Sequence, residues 1–148
     1  MWLSQAVEKE PSALTIAVGH DSRISAQRIQ DAVTRVLVGA GVRVLDCGLA
    51  STPSMFMTTI DLACDGSVQI TQATIVQPQR LEILHQNGGL DGPDIEQILL
   101  FAQEGQTPPA GEGHVEAVNY MADYAKRLRE MIRKASMRRT MNIRSRAS

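Results

Sequence analysis

The residues best placed to do chemistry form the segment 19–23 (GHDSR), which directly follows a short apolar run at residues 14–18. Such a run is typical of a buried strand, and sites in α/β proteins lie beyond the C-terminal ends of the strands. Asp21 and Arg23 therefore have two interpretations, a structural ion pair or a pair that faces a phosphorylated ligand. The structural interpretation is favoured, since Asp/Arg pairs near turns are usually structural. The segment lacks GxGxxG spacing, which argues against a dinucleotide site.

Two other groups of reactive side chains carry weaker signals. Thr71 and Thr74 follow a β-branched run, but without an activating base these hydroxyls are predicted to pack at the strand end or in a turn. Cys47 and Cys64 lack CxxC spacing, which favours free, buried or half-buried thiols over a metal site or a disulfide.

Three short apolar or β-branched runs predict the strands that would position these residues, at 14–18, 42–47 and 68–71. Apolar residues at helical spacing separate the first two strands, with Ser25 as the expected N-cap. Strand–helix–strand–helix–strand with short joins predicts right-handed crossovers. The predicted fold class is α/β, a single-domain three-layer α/β/α sandwich with a mostly parallel or mixed sheet.

The remaining helices are predicted from caps and apolar stripes. Ser51, followed by proline at the first helical position, opens one helix. Asp91 starts another, and residues 104–113 (EGQTPPAGEG) predict a loop or linker. The last helix is predicted to run to Lys134. Its expected apolar side consists of Val118, Met121, Ala125, Leu128 and Ile132.

The net charge of -1 hides an asymmetry. From Lys126 onward there are nine Lys and Arg against Glu130 alone, which leaves six basic and fifteen acidic residues in 1–125. A basic tail suits nucleic acid or an anionic membrane. This tail has no aromatic stacking residue and no steady periodicity after Lys134, so no specific nucleic-acid or membrane partner is expected. No membrane span or secretory signal is recognised, which predicts a soluble chain that is cytoplasmic by default.

Three motifs together resemble the first domain of the α-D-phosphohexomutases (phosphomannomutase/phosphoglucomutase). They are the strand ending in G-x-D-S-R, the turn DCGLASTP at 46–53 and the strand GSVQIT at 66–71. The resemblance covers about Leu14 to Lys134. It implies descent from enzymes that interconvert hexose 1- and 6-phosphates through a phosphoserine. In that family Mg²⁺ binds the phosphoserine and an aspartate-rich loop of the second domain.

The family's phosphoserine lies in a TASH-x-P loop that is followed by NG-x-K. Laid on this chain, the motif places Ala73 at the serine, Thr74 at the histidine and Ile83 at the lysine. All three functions would be lost, because a methyl group cannot accept a phosphoryl group and neither the acid/base partner nor the phosphate-facing cation is present. Asp21 and Arg23 stay as candidate substrate-binding residues. No cofactor is expected in this chain, since the phosphoserine and the second domain are both missing.

These matches predict an N-terminal extension (1–13), a phosphohexomutase-like α/β/α domain I (14–134) and a basic disordered tail (135–148). Residues 72–86 form a divergent catalytic-loop region within the domain. The family's FGTSG-x-RG loop is not found in the extension. Residues 80–84 (RLEIL) alternate enough to serve as a makeshift strand that protects the sheet edge.

A disturbed reading frame is one hypothesis for the two departures from the family pattern. Residues 77–86 can be encoded by DNA that, read one base later, gives NRNGLKFFT. Residues 137–148 can be encoded by DNA that, read two bases later, gives AEDYEYPLPGF. Both strings look like the family's own continuation. Sequencing the transcript tests the idea, and an uninterrupted frame that encodes the present residues would contradict it.

The sequence therefore predicts a fragment or degenerate homologue of a phosphohexomutase that is inactive alone. The alternative is a non-catalytic binding or regulatory module. Its partner would be a hexose phosphate, bound weakly, or an intact mutase.

Overall fold

The computed structural model describes residues 2–71, 80–85, 88–105 and 110–144. The elements, in chain order, are α1 (Trp2–Ala6), a 3-10 turn (Pro11–Ala13), β1 (Thr15–His20), α2 (Ile24–Gly39), β2 (Arg43–Leu49), α3 (Thr52–Asp61), β3 (Gly66–Thr71), β4 (Arg80–His85), β5 (Gly88–Gly89), α4 (Gly92–Gln103), β6 (His114–Ala117) and α5 (Met121–Arg144).

The strands form one mixed sheet in the order β5-β4-β3-β1-β2-β6. β3, β1, β2 and β6 are parallel to one another, β4 runs antiparallel to β3, and β5 runs antiparallel to β4. The predicted α/β class is confirmed, and so is the makeshift strand, since Arg80–His85 pairs with β3 along its whole length. The edge of β3 is therefore paired rather than exposed.

Two hydrophobic cores lie on opposite faces of the sheet. Alternate residues of β1 point to opposite sides, so that Ile16 and Val18 join one core and Ala17 joins the other. The first core contains Ala26 of α2, and the second contains Met55 of α3. Helices cover both faces, which makes the predicted three layers.

Residues of the predicted N-terminal extension (1–13) take part in the first core. Leu3 of α1 is buried, and its side chain packs against β3 where Gly66 leaves room for it. Lys9 Nζ lies 2.5 Å from Asp65 Oδ1, and Thr15 N donates to Asp65 Oδ2 at 2.9 Å. One carboxylate thus fastens the N-terminal segment to the start of β1.

Helix starts agree with the predicted caps at two of three places. Ser51 caps α3 and Asp91 caps α4, each in a reciprocal capping box with the residue three positions on. Ser25 does not cap α2, because the helix begins at Ile24 and its N-cap is Arg23. The chain already turns before Arg23, whose backbone N donates to Asp21 Oδ1 at 3.3 Å. The helix therefore begins earlier than predicted.

Residues 110–113 pack on the end of α2 and lead into a strand that the sequence did not predict. Gly111 N donates to Gly39 O at 2.8 Å, and Gly113 N donates to Val38 O at 3.0 Å. A Cβ on Gly113 would lie 2.2 Å from Val42 O, so only glycine fits there. β6 follows and extends the sheet beyond β2, and Val118 accordingly precedes α5 instead of lying on it.

The last helix begins against α3 and is longer than predicted. Tyr120 donates its hydroxyl hydrogen to Asp61 Oδ2 at 2.5 Å, and Arg127 forms an ion pair with the same carboxylate. α5 then continues to Arg144, whereas a disordered tail was expected from residue 135. Residues 135–144 contain neither glycine nor proline, so nothing in the backbone ends the helix earlier. In the described part of the chain, no helix combines the length and apolar character that crossing a bilayer requires.

Candidate functional site at the end of the parallel strands

The region between the C-terminal ends of β1 and β3, called here the crevice, is the topological switch point of the sheet. The chain leaves β1 toward β2 on one side, then returns through α3 to β3 on the other side. Such a reversal of strand order is where open α/β sheets bind ligands. The loop 21–23 and the chain after Thr71 therefore border this crevice.

Asp21 and Arg23 meet as the ion pair that the sequence favoured. Arg23 Nη2 lies 3.4 Å from Asp21 Oδ2, and Asp21 N donates to Ile70 O at 3.0 Å. The carboxylate therefore orders the loop, while the backbone fixes that loop to the end of β3. The Arg23 side chain is 38% exposed, so the pair lies at the crevice rather than beneath it.

The floor of the crevice is built from Gln69, Gly19 and Ala50. The Gln69 side chain is buried and donates from Nε2 to Ala50 O at 3.0 Å, while Ala50 N donates to His20 O at 2.8 Å. Among the described residues, Gln69 Oε1 has no hydrogen-bond partner. The sequence did not single out Gln69, because a glutamine within a strand gives no signal of burial at a site.

A glutamate occupies the wall of the crevice, at the N-terminus of α3. Thr52 donates its hydroxyl hydrogen to Glu82 Oε2 at 2.5 Å. The partial positive charge at a helix N-terminus favours a nearby anion, and here the chain's own carboxylate lies in that field. Glu82 pairs with Gln69 between β3 and β4, and this register places Glu82 beside Thr52. Neither Thr52 nor Glu82 was predicted, since their contact depends on the antiparallel course of β4.

The three motif positions are not brought together within the described structure. Ala73 and Thr74 lie in 72–79, outside the described residues. Ile83 pairs with Val68 in the middle of the sheet, three residues before the end of β3 at Thr71. Its side chain points to the face of the first core and lines an apolar groove with α4. The motif's lysine position is therefore part of a strand here.

The residues present do not fit a magnesium site. Asp21 is engaged by Arg23 and Glu82 accepts from Thr52, so each carboxylate already has a partner within this chain. Within 2–71, 80–85, 88–105 and 110–144, no group of three or more His, Cys, Asp or Glu side chains is arranged to hold a metal ion. Ala73, which is predicted from the sequence to occupy the family's phosphoserine position, would add only a methyl group.

Burial keeps the thiols of Cys47 and Cys64 protonated near neutral pH. Burial raises the pKa of the Cys47 thiol to about 12, with smaller contributions from Cys64 and Asp46. Burial also raises the pKa of the Cys64 thiol to about 11. Neither cysteine is part of a disulfide, as predicted. Because a thiolate is the nucleophilic form, neither thiol supplies a nucleophile near neutral pH.

Comparison with known proteins points to one family. The family model for phosphoglucomutase/phosphomannomutase, alpha/beta/alpha domain I, matches residues 1–100. A phosphomannomutase from Escherichia coli is 26% identical over 134 residues, covering 86% of this chain and 29% of the E. coli protein. A phosphomannomutase from Klebsiella pneumoniae is 28% identical over 115 residues, covering 74% of this chain and 73% of that protein.

A solved structure shows the same fold. It is a phosphoglucomutase/phosphomannomutase family protein from Burkholderia thailandensis, with a TM-score of 0.70 and 18% identity. The match covers 85% of this chain and 29% of the Burkholderia chain, so this chain spans less than a third of that protein and of the E. coli relative. The family match begins at residue 1, and Leu3 of α1 belongs to the first core. The chain belongs to the phosphoglucomutase/phosphomannomutase family and corresponds to its α/β/α domain I.

Proposed function

We propose that this chain is a phosphohexomutase domain I with no mutase turnover of its own. The observation that carries the proposal is Ala73, which stands where the family motif has the serine that accepts and returns the phosphoryl group. A methyl group has no lone pair to attack phosphorus. Phosphoryl transfer requires an in-line nucleophile together with neutralisation of the phosphate charge.

The charges at the crevice support the proposal. Among the described side chains, a phosphoryl group entering there would meet the carboxylates of Asp21 and Glu82 and the guanidinium of Arg23. The guanidinium is already paired with Asp21, so it offers little net positive charge. Like charges at close range raise the energy of the complex, and the helix N-terminus that would offset this already has Glu82 beside it.

The test is turnover and covalent labelling of the purified chain. It is incubated with glucose 1-phosphate or mannose 1-phosphate, a hexose 1,6-bisphosphate and Mg²⁺. Products are followed by phosphorus NMR and the protein by intact mass. We expect no conversion above the protein-free blank and no phosphorylated protein. Conversion, or a phosphoryl group on the wild-type chain, would overturn the proposal.

Ala73→Ser is the matched variant in the same assay. It restores the hydroxyl but neither the motif's histidine nor its lysine, so we expect no turnover from this variant. A variant that turned over would show that the serine alone had been limiting. The absence of turnover would then be explained by one missing hydroxyl oxygen at residue 73.

Weak binding of a hexose phosphate, or of an intact mutase, is the second candidate function. The observation favouring a sugar phosphate is the partly exposed Arg23 side chain at the crevice. Calorimetric titration with glucose 1-phosphate would compare wild type with Arg23→Ala and with Arg28→Ala, a control on the exposed side of α2. Binding lost only in Arg23→Ala supports this role, and equal heats for all three proteins contradict it. Co-sedimentation with a purified family mutase tests the protein partner.

A further inference from the structure

The first surface that calls for a partner is a groove between α4 and β4, called here the α4 groove. It encloses about 360 Å³ and is lined by Leu81, Ile83, Leu90, Ile95, Ile98 and Leu99. α4 buries none of its residues, although its sequence has the apolar stripe of a packed helix. Leu99 is 55% exposed and Leu81 is 50% exposed. The stripe thus leaves a large apolar area facing solvent.

The charge on α4, the helix that forms one side of this groove, has one sign. α4 contains no lysine or arginine. Its acidic residues are Asp94 and Glu96, with Asp91 at its N-cap and Glu104 at its C-cap. An apolar groove bordered in this way suits a partner whose apolar residues are flanked by basic ones.

α5 carries a surface of the opposite character, called here the α5 stripe. Met131 and Ile132 lie three and four positions after Leu128, so both share its side of the helix, and Ile132 is 68% exposed. Basic residues surround them along the helix: Lys126, Arg127, Arg129, Arg133 and Lys134. Arg127 is engaged by Asp61, whereas Arg129, Arg133 and Lys134 have exposed side chains.

The α5 stripe lies far from the groove of its own chain. α5 follows β6 at one edge of the sheet, whereas the groove lies beside β4 and β5 at the other edge. Four strand spacings separate β4 from β6, a distance of about 19 Å. The two also lie on opposite faces, because α5 is bound to α3 through Asp61 while Ile83 points to the face of α1 and α2.

We propose that the α5 stripe of one copy docks into the α4 groove of a second copy. The basic residues of α5 would then face the carboxylates that border the groove, and the leucines and isoleucines of both surfaces would leave water together. Because the groove and the α5 stripe lie at opposite edges and on opposite faces of each copy, one contact gives a head-to-tail dimer that keeps one groove and one α5 stripe available for a further copy. The occupant is a second copy because this chain itself carries the complementary charge and shape on a surface that its own fold leaves exposed.

Sedimentation velocity of the full chain over a range of concentrations, at low and at high NaCl, tests the proposal. We expect a concentration-dependent dimer whose dissociation constant rises with salt, because screening weakens the charged contacts while the apolar contact persists. Leu99→Lys and Ile132→Glu should each weaken the dimer about tenfold or more, since each places a charge in an apolar contact. The new lysine would face the basic residues of the other copy's α5, and the new glutamate would face the carboxylates of the other copy's α4. Val36→Glu, at an exposed apolar position on α2, should leave the dimer unchanged.

Mixing the two disrupted variants gives the decisive result. Leu99→Lys keeps an unchanged α5 stripe, and Ile132→Glu keeps an unchanged α4 groove. In an equimolar mixture these two unchanged surfaces can therefore meet. We expect the mixture to dimerise more tightly than either variant alone. Circular dichroism checks that each variant folds, as substitutions at exposed positions should allow. A monomer at all concentrations, a dimer that survives both substitutions, or a mixture no tighter than its parts would overturn the proposal.

Discussion

The hydroxyl of Thr52 donates to the carboxylate of Glu82 across 2.5 Å, which joins the first turn of α3 to β4. The strand that the sequence predicted only as makeshift is therefore held by a specific polar contact as well as by its ladder. Thr52→Val removes the donor and should lower the free energy of unfolding by about 1 kcal/mol, the ordinary net value of one hydrogen bond. Thr52→Ser keeps the hydroxyl and serves as the control. Equal urea midpoints for the two variants would show that the bond contributes nothing.

Asp65 should contribute more, because it is almost buried and serves two donors. Its carboxylate receives Lys9 Nζ at 2.5 Å and Thr15 N at 2.9 Å. Asp65→Ala leaves the Thr15 amide without this acceptor and should cost about 2 kcal/mol. Asp65→Asn keeps an oxygen for that amide and should cost less. Urea unfolding of both variants measures the difference, and an alanine variant as stable as the asparagine variant would contradict this account.

Acid should remove the stabilisation that Asp61 gives. The hydrogen bond from Tyr120, and then that from Arg127, lowers the pKa of the Asp61 carboxyl. The unfolded chain therefore binds the proton more tightly, so the contribution is complete above an ordinary pKa of about 4 and disappears as pH falls through the lowered value. Asp61→Asn should be less stable than wild type at neutral pH, and the gap should narrow below pH ~4. A gap that stayed constant with pH would argue against the ionised contact.

High pH should remove the stabilisation that Tyr120 gives through its hydrogen bond to Asp61. Burial, followed by the hydrogen bond to Asp61, raises the pKa of Tyr120 to about 12. Its neutral hydroxyl therefore stabilises the fold fully below the ordinary pKa of about 10, and this contribution is lost as pH rises toward 12. Tyr120→Phe lacks both the bond and the titration. Unfolding midpoints should converge for wild type and variant as pH rises, and parallel curves would contradict the prediction.

The thiols should react slowly in the folded chain. The pKa values of Cys47 and Cys64, raised to about 12 and about 11, leave both groups protonated at pH 8. An aromatic disulfide reagent should therefore label the native chain about tenfold or more slowly than the urea-unfolded chain. Cys64→Ala isolates the half-buried Cys47 for the same measurement. Labelling of Cys47 at the rate of the unfolded chain would contradict the role of burial.

The sequence predicted those parts of the fold in which local pattern and final environment agree. The runs that became β1, β2 and β3 are apolar because both faces of those strands are covered, and Ser51 and Asp91 are caps whose partners lie three residues away. β6 gave no such signal, since all four of its residues are exposed at the edge of the sheet. Its position depends on Gly111 and Gly113 fitting against the end of α2, which is a long-range contact.

The candidate site was predictable only where the motif is local. Asp21 and Arg23 lie two positions apart, and the sequence favoured the ion pair that they form. Gln69, Thr52 and Glu82 meet through strand register and helix crossing, which no spacing along the chain encodes. The apolar stripe of α4 shows the reverse case. Its periodicity correctly predicted a helix, but the pattern does not say whether the apolar side is covered by the same chain.

Gly19 gives a test of how closely the floor of the crevice is packed. A Cβ there would lie 2.7 Å from Met55 Sδ, 3.0 Å from Ala50 Cβ and 3.2 Å from Gln69 Oε1. Met55 is fully buried, so its sulfur has little room to move, and the Gln69 amide is held by Ala50. Gly19→Ala should therefore destabilise the fold by about 1–3 kcal/mol, the usual cost of overpacking a core.

Gly39 is the matched control, because a Cβ at this last position of α2 has no atom within 4 Å. Gly39→Ala should be neutral or stabilise by up to about 1 kcal/mol, since alanine favours the helix. Urea unfolding of both variants should therefore give shifts of opposite sign, or one large shift and one near zero. If Gly19→Ala were as stable as Gly39→Ala, the crevice floor would have to yield by several tenths of an ångström. The packing of Met55 and Gln69 against Gly19 in the crevice floor could then not hold the ends of β1 and β3 in a fixed arrangement.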